Sequence, residues 1–104
     1  MRGDVRDRTE LLEALQGTDV VVHAAALHGI HLDRYTTDDF WDLNVAGIRN
    51  VYEAARELRI GKILLCSTRG VYGEGVRQAA DPPVMVEALS LEPSDVYGFS
   101  KRLC

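Results

Sequence analysis

Lys62-Ile63-Leu64-Leu65-Cys66-Ser67-Thr68-Arg69-Gly70-Val71-Tyr72-Gly73 is the stretch that decides the architecture. Its first half holds an apolar run, Ile63-Leu64-Leu65, of the length of a buried strand bounded by turn formers. The run ends in two hydroxyl residues, so Ser67 and Thr68 fall at the strand's carboxyl end. Upstream, Phe40, Trp41, Leu43, Ile48, Val51, Tyr52, Ala55 and Leu58 recur at three- and four-residue steps. That spacing predicts one long amphipathic helix, capped by Thr37, Asp38 or Asp39 and closed by Gly61. A polar loop over 28–35 precedes it. Before the loop, Val20-Val21-Val22-His23 runs into Ala24-Ala25-Ala26, a β-branched run that reads as a buried strand of a parallel sheet. Further back, Asp7 and Glu10 have capping-box spacing ahead of Leu11, Leu12 and Leu15, and Gly17 closes that short helix. Gly3 to Val5 reads as the tail of another strand.

Downstream, residues 74–93 show no period and hold all three prolines. A loop of that length in a small domain is often a lid or binding loop. Ser94 or Asp95 then caps a last helix that carries Tyr97 and Lys101. The order strand, helix, strand, helix, strand, loop, helix predicts an α/β chain with a parallel sheet and right-handed crossovers. In such sheets ligands bind beyond the carboxyl ends of the strands. Ala24 to His28 and Ser67 to Thr68 both fall on that edge.

The 104 residues suffice for one small domain over 1–104 with a single core. An apolar fraction of 46% and a charged fraction of 27% are ordinary for a soluble globular protein. The net charge of −4 and the absence of a basic cluster argue against nucleic acid as a partner. No apolar run approaches the ~20 residues of a membrane span. Met1-Arg2-Gly3-Asp4 lacks the apolar region of a signal peptide. Cys66 and Cys104 form no metal or redox motif, so a reduced, cytoplasmic protein is the expectation. His23, His28 and His31 match no zinc spacing, and no metal is expected.

The chemistry lies in Tyr97-Gly98-Phe99-Ser100-Lys101. Residues four apart on a helix share a face. A lysine ammonium beside a phenol favours the phenolate, and a phenol tuned in this way moves protons to and from a hydroxyl or carbonyl. Thr68 supplies a hydroxyl to hold the same oxygen, which makes an acid/base site for alcohol–ketone chemistry. Plainer readings stand beside this one. Thr68 can cap the turn that follows it, Tyr97 can be a core tyrosine, and Lys101 a solvated lysine. Tyr72 is a second phenol, without a lysine four residues on. Asn44, between apolar residues in mid-helix, is locally unfavourable and invites a reason.

Tyr-x-x-x-Lys preceded by a strand and Ser-Thr-x-x-Val-Tyr-Gly resembles the extended short-chain dehydrogenase/reductase family, in particular its NAD-dependent nucleotide-sugar epimerase/dehydratase branch. The resemblance runs from Gly3 to the C-terminus and matches the middle third or so of a typical member. It implies a partial Rossmann-like, doubly wound parallel sheet that lacks the first βαβ unit and the C-terminal substrate domain. It implies NAD, or NADP, as cofactor, a small-molecule substrate of the nucleotide-sugar class, and a homodimeric parent protein with no nucleic-acid or membrane partner. By the same resemblance Thr68, Tyr97 and Lys101 are the catalytic residues, and Tyr97 and Lys101 also meet the cofactor, Lys101 at its nicotinamide ribose. The Asp4 side chain and the Val5 amide hold the adenine, with a turn or cap as the other reading of Asp4. Ala24, Ala25 and Ala26 let the backbone approach the cofactor, the alternative being alanines packed under a helix. His28 stands where epimerases often carry a lysine near the cofactor, and Asn44 belongs to the cofactor-binding set and helps to order the lysine region and the cofactor. Arg69 and Gly70 depart from the acidic residues of sugar-nucleotide dehydratases, which favours an epimerase or a simple reductase.

No Gly-x-x-Gly-x-x-Gly turn occurs in the chain. The expectation is therefore a central fragment with little or no activity alone, and with exposed sheet edges and apolar helix faces. Two other functions fit the residues: a non-catalytic nucleotide-binding or regulatory protein of Rossmann type, and a reductase of hydroxysteroids or small carbonyl compounds.

Overall fold

A computed structural model describes residues 2–77 and 86–104. The chain opens with a turn rather than a strand. Asp7 donates its backbone N–H to Asp4 O at 3.0 Å, and the Asp4 carboxylate accepts from the Arg6 backbone at 2.9 Å. These local bonds give the segment 3–5 partners that a lone extended piece would lack. Helix α1 (Arg8–Leu15) follows, with the Asp7 carboxylate accepting from the N–H groups of Thr9 and Glu10. Glu10 does not return to the cap as capping-box spacing suggests; it accepts instead from Asp4 N at 2.7 Å and so ties the opening turn to the helix. Gly17, at φ 72°, ends the helix in the left-handed conformation that glycine adopts without a Cβ clash.

Strands β1 (Val20–His23) and β2 (Lys62–Leu65) pair in parallel, with Val20 opposite Lys62 and His23 opposite Leu65. The crossover between them consists of α2 (Thr37–Phe40), a π-helical segment (Trp41–Ala46) and α3 (Gly47–Glu57). The helical spacing extends along this whole stretch, but the winding is not uniform, because the π segment loosens it by a residue. The N-cap is Thr36, one residue before the expected cluster, and Asp39 completes a reciprocal capping box with it. The helix closes at Leu58, not at Gly61. Arg59 takes the left-handed position at φ 58°, and Ile60 donates its N–H to Ala55 O at 2.8 Å in the manner of a Schellman cap.

One face of the sheet is covered. Val21 packs with Leu11, Ile48, Val51 and Ala54, and Ile63 and Leu65 join them. The other face is open among the described residues: Val22 is 63% and Leu64 46% exposed. The β-branched runs are written for a sheet buried on both sides, and the described residues form one such covered half.

After β2 come a short 3₁₀ turn (Arg69–Val71), helix α4 (Glu74–Arg77) and helix α5 (Val96–Leu103). Where a continuous loop was expected from residue 74, the chain starts with a helical turn, and Gly73 bridges to Glu92. The central part of that expected loop, 78–85, lies outside the described residues. Asp95 caps α5, accepting from Gly98 N at 2.7 Å. No helix among the described residues is long and apolar enough to cross a membrane.

Candidate functional site

The two strands deliver Ala24–His28 and Cys66–Thr68 to one edge of the sheet, and α5 crosses that edge. The close crossing requires glycine: a Cβ on Gly98 would come within 2.6 Å of Gly70 O and 2.9 Å of Pro93. Gly70 follows Thr68 by two residues and Gly98 follows Tyr97, so this contact brings the threonine and tyrosine segments together. Thr68 Oγ1 accepts from Gly70 N at 3.2 Å. The threonine does cap the turn, but the bond uses an oxygen lone pair and not the hydroxyl proton.

Lys101 is 5% exposed. Its Nζ donates to Cys66 O at 2.8 Å, while Cys66 N donates to His23 O at 3.0 Å. The lysine thus seals the last carbonyl of the parallel ladder. Lys101 is therefore not the solvated lysine of the plainer reading. His23 is buried beside it on the inner face of β1. Burial first, and the Lys101 charge second, push the His23 imidazole below its usual range, so the ring is held neutral.

Asn44 has the reason that its sequence setting demands. It lies in the π segment and is 1% exposed. Its Oδ1 accepts from Leu27 N at 2.7 Å, and its Nδ2 donates to Leu27 O at 3.0 Å and to Ser100 Oγ at 2.9 Å. The amide pairs with Leu27 as a neighbouring strand would. Ser100 Oγ in turn donates to Tyr97 O at 2.8 Å. One buried side chain therefore joins the end of β1, the long helix and α5. Ser100 was not singled out from sequence. Its signal is its place three residues after Tyr97 and one before Lys101, on a small side chain that a helix interface accepts.

The Tyr97 ring lies against Phe40 and His28, with centroid separations of 6.5 and 5.5 Å. Its hydroxyl is 3.2 Å from His28 Nδ1. Tyr97 and Lys101 share α5, yet the ammonium and the phenol have different partners. Tyr72, which carries the second phenol, closes the 69–71 turn through its backbone N–H, which donates to Arg69 O at 3.1 Å. Ala24 and Ala25 are exposed and Ala26 half-buried at the end of β1, not packed away under a helix.

The Asp4 carboxylate is clasped by Arg6, with Nη2 at 2.6 Å, and Arg6 Nη1 also reaches Asp42 of the π segment at 3.7 Å. Hydrogen bonds from the Arg6 side chain and backbone hold Asp4 well below the usual carboxylate range, at about 2. Val5 packs its side chain toward the core and accepts from Asn50 Nδ2 at 3.1 Å through its carbonyl. Among the described residues, the hydrogen-bond partners of Asp4 and Val5 are not those of Thr68, Tyr97 or Lys101. No group of three or more His, Cys, Asp or Glu among the described residues could hold a metal ion.

Comparison with known proteins bears on the family and the fold. The profile of the NAD dependent epimerase/dehydratase family matches residues 1–104. The chain is 30% identical to UDP-glucose 4-epimerase of Streptomyces lividans over 103 residues, which cover 96% of this chain and 30% of that protein. It is 34% identical to the L-arabinose 1-dehydrogenase (NAD(P)(+)) of Haloferax volcanii, covering 94% of this chain and 41% of that one. Among solved structures, a double mutant of dTDP-glucose 4,6-dehydratase from Streptomyces venezuelae, with NAD bound, superposes with a TM-score of 0.82 at 31% identity, covering 97% of this chain and 30% of the other. The fold is thus the partial, Rossmann-type α/β arrangement of these enzymes, and the chain spans about 30–41% of the length of these relatives. On the profile match and the two sequence relatives together, this chain belongs to the NAD-dependent epimerase/dehydratase family.

Proposed function

We propose that residues 1–104 form part of an NAD(P)-binding domain and carry the proton-handling edge of an oxidoreductase that acts on a sugar hydroxyl, with NAD as cofactor and a nucleotide sugar as substrate. The observation that supports this reading is the Gly70–Gly98 contact, which brings the segments of Thr68 and Tyr97 to one sheet edge, where Lys101 is bonded to Cys66 O. The donor set fits a dinucleotide. Lys101 has two N–H groups beyond its bond to Cys66, Thr68 keeps its hydroxyl proton, and the small, exposed side chains of Ala24 and Ala25 leave room for a flat ring. NAD supplies the hydride acceptor for the carbon that loses its hydrogen.

In this reading Tyr97 takes the substrate hydroxyl proton and returns it to the carbonyl in the reverse direction. Thr68 donates to the same substrate oxygen and holds it in line. Lys101, fixed by Cys66, binds the ribose next to the reacting ring and brings positive charge to the phenol's side of the edge. Asn44 keeps α5 and the end of β1 in register so that these groups meet. Asp4 and Val5 serve the adenine end, and His28 lies beside the cofactor. Arg69 and Gly70 stand where dehydratases carry acidic residues, which supports epimerisation or simple dehydrogenation over dehydration. The relationship to L-arabinose 1-dehydrogenase supports the second of these.

The test is calorimetric titration of the purified chain with NAD, NADH and NADP, followed by nicotinamide absorbance with UDP-glucose and L-arabinose as probes. Saturable NAD binding with a raised melting temperature is expected. In the full-length protein, Tyr97→Phe is expected to abolish most turnover while leaving NAD affinity within about twofold, because the phenol acts on the proton rather than on binding. Turnover that survives this change overturns the role given to Tyr97.

A further inference from the structure

The geometry points to His28 as the proton-exchange partner of Tyr97, a relay that connects the phenol to solvent. This inference rests on the reading of Tyr97 as the acid/base. The phenol oxygen is 3.2 Å from His28 Nδ1, and the imidazole itself is exposed. In the relay the hydroxyl donates to Nδ1, which accepts, and the ring's own hydrogen sits on Nε2.

The ring is held in place from behind. Leu27, the preceding residue, has both backbone polar groups bonded to the buried Asn44 amide. The backbone N–H of His28 donates to His31 Nδ1 at 2.9 Å, and His31 packs edge-on against Tyr35. Gly29 lies against the side of the Tyr97 ring, its Cβ position 3.6 Å from Cδ1. Among the described residues, the titratable groups that face His28 are Tyr97 from α5 and His31 from its own 3₁₀ turn (Gly29–His31). A lysine at position 28 would offer only donors to the phenol, whereas an imidazole accepts a proton at one nitrogen and releases one from the other.

Oxidation of a hydroxyl sheds one proton. Tyr97 gives it a place by first losing its own proton: the phenolic O–H bond breaks as Nδ1–H forms, the imidazolium so made loses its Nε2 proton to water, and the phenolate then takes the substrate proton and is again a phenol. The electron pair of the broken C–H bond leaves as the hydride that NAD accepts. One proton reaches solvent for each hydroxyl oxidised, and the exposed ring resets its tautomer through water.

The test needs neither cofactor nor turnover. In the chain labelled with ¹⁵N-histidine and ¹³Cζ-tyrosine, NMR is expected to show His28 with an unprotonated Nδ1 and a protonated Nε2. Tyr97→Phe should shift the Nδ1 resonance, and His28→Ala should shift that of Tyr97 Cζ. His28→Asn, whose amide oxygen takes the place of Nδ1, retains the bond to the phenol but lacks a second proton site. Hydrogen exchange at the Tyr97 hydroxyl should therefore be at least about tenfold slower in His28→Asn than in the unaltered chain, in line with the usual size of side-chain proton-transfer catalysis. A proton found on Nδ1, or an exchange rate unchanged in His28→Asn, overturns the relay. Failure of the Tyr97 assignment itself is read separately, from turnover of Tyr97→Phe in the full-length protein.

Discussion

Asn44 and Asp4 are both polar, both were assigned to the cofactor region, and the structure anchors them in opposite ways. Asn44 is buried and uncharged, and three hydrogen bonds connect it to two other segments. Asp4 is a half-exposed carboxylate, and Arg6, two residues away, supplies its ion pair. The first arrangement is strong because the alternative is an orphaned backbone in a site without water. The second is weak because water competes with both partners. The Asn44 end is therefore rigid by construction, and the Asp4 end can adjust.

The contrast can be broken most severely at Asn44. Asn44→Leu leaves Leu27 N–H and Leu27 C=O without their side-chain partner, while Ser100 Oγ keeps its bond to Tyr97 O. At about 1–3 kcal/mol for each of the two buried groups, a loss of roughly 2–6 kcal/mol is expected from urea unfolding, a large fraction of the stability of so small a domain. Gly98→Ala comes next. It pushes a methyl group into Gly70 O and Pro93 and should cost about 1–3 kcal/mol by overpacking, read as a lower melting temperature.

Acid separates the two regions further. His23 is depressed below 6.5 in the fold, so below that pH the unfolded chain takes up a proton that the folded chain refuses. Stability should therefore fall as pH drops from 6.5, and His23→Leu should flatten that slope in melts recorded across the range. Asp4 acts lower down. Its contribution is complete above its unperturbed value of 3.8 and is lost as pH falls through about 2. The smallest effect belongs to Arg6→Ala. Little change in melting temperature is expected at low salt and none at high ionic strength. A large, salt-resistant loss would place both ends of the site in the same rigid class.

Much of this was legible in the chain. The two strands follow from short β-branched or aliphatic runs, and the Tyr97–Lys101 spacing places both residues on α5. Asp7, Gly17 and Asp95 act at the helix ends where their chemistry puts them. The shortfalls have physical causes. Periodicity cannot distinguish a π segment of six residues from an α-helix, because the two differ by only one residue over that length. Arg59 closes α3 because the helix ends where packing stops, and the left-handed position then falls on whichever residue comes next. Glu10 leaves its cap for Asp4 N because the opening turn brings that donor closer. The His28–Tyr97 contact spans 69 residues, and no local pattern encodes it.

The π segment imposes a constraint on how this chain can change in length. Each residue of an α-helix turns the chain by 100°. The additional residue within Trp41–Ala46 sets the phase between Phe40, fully buried against Tyr97, and Ile48 and Val51, buried against the sheet. Deleting one residue from this segment would restore ordinary helical winding and improve the local hydrogen bonding. It would also swing Phe40 about a quarter turn away from α5 and take Asn44 out of reach of Leu27. The segment can exchange residue types on its outer face, but it cannot gain or lose a residue without uncoupling the two halves of the site.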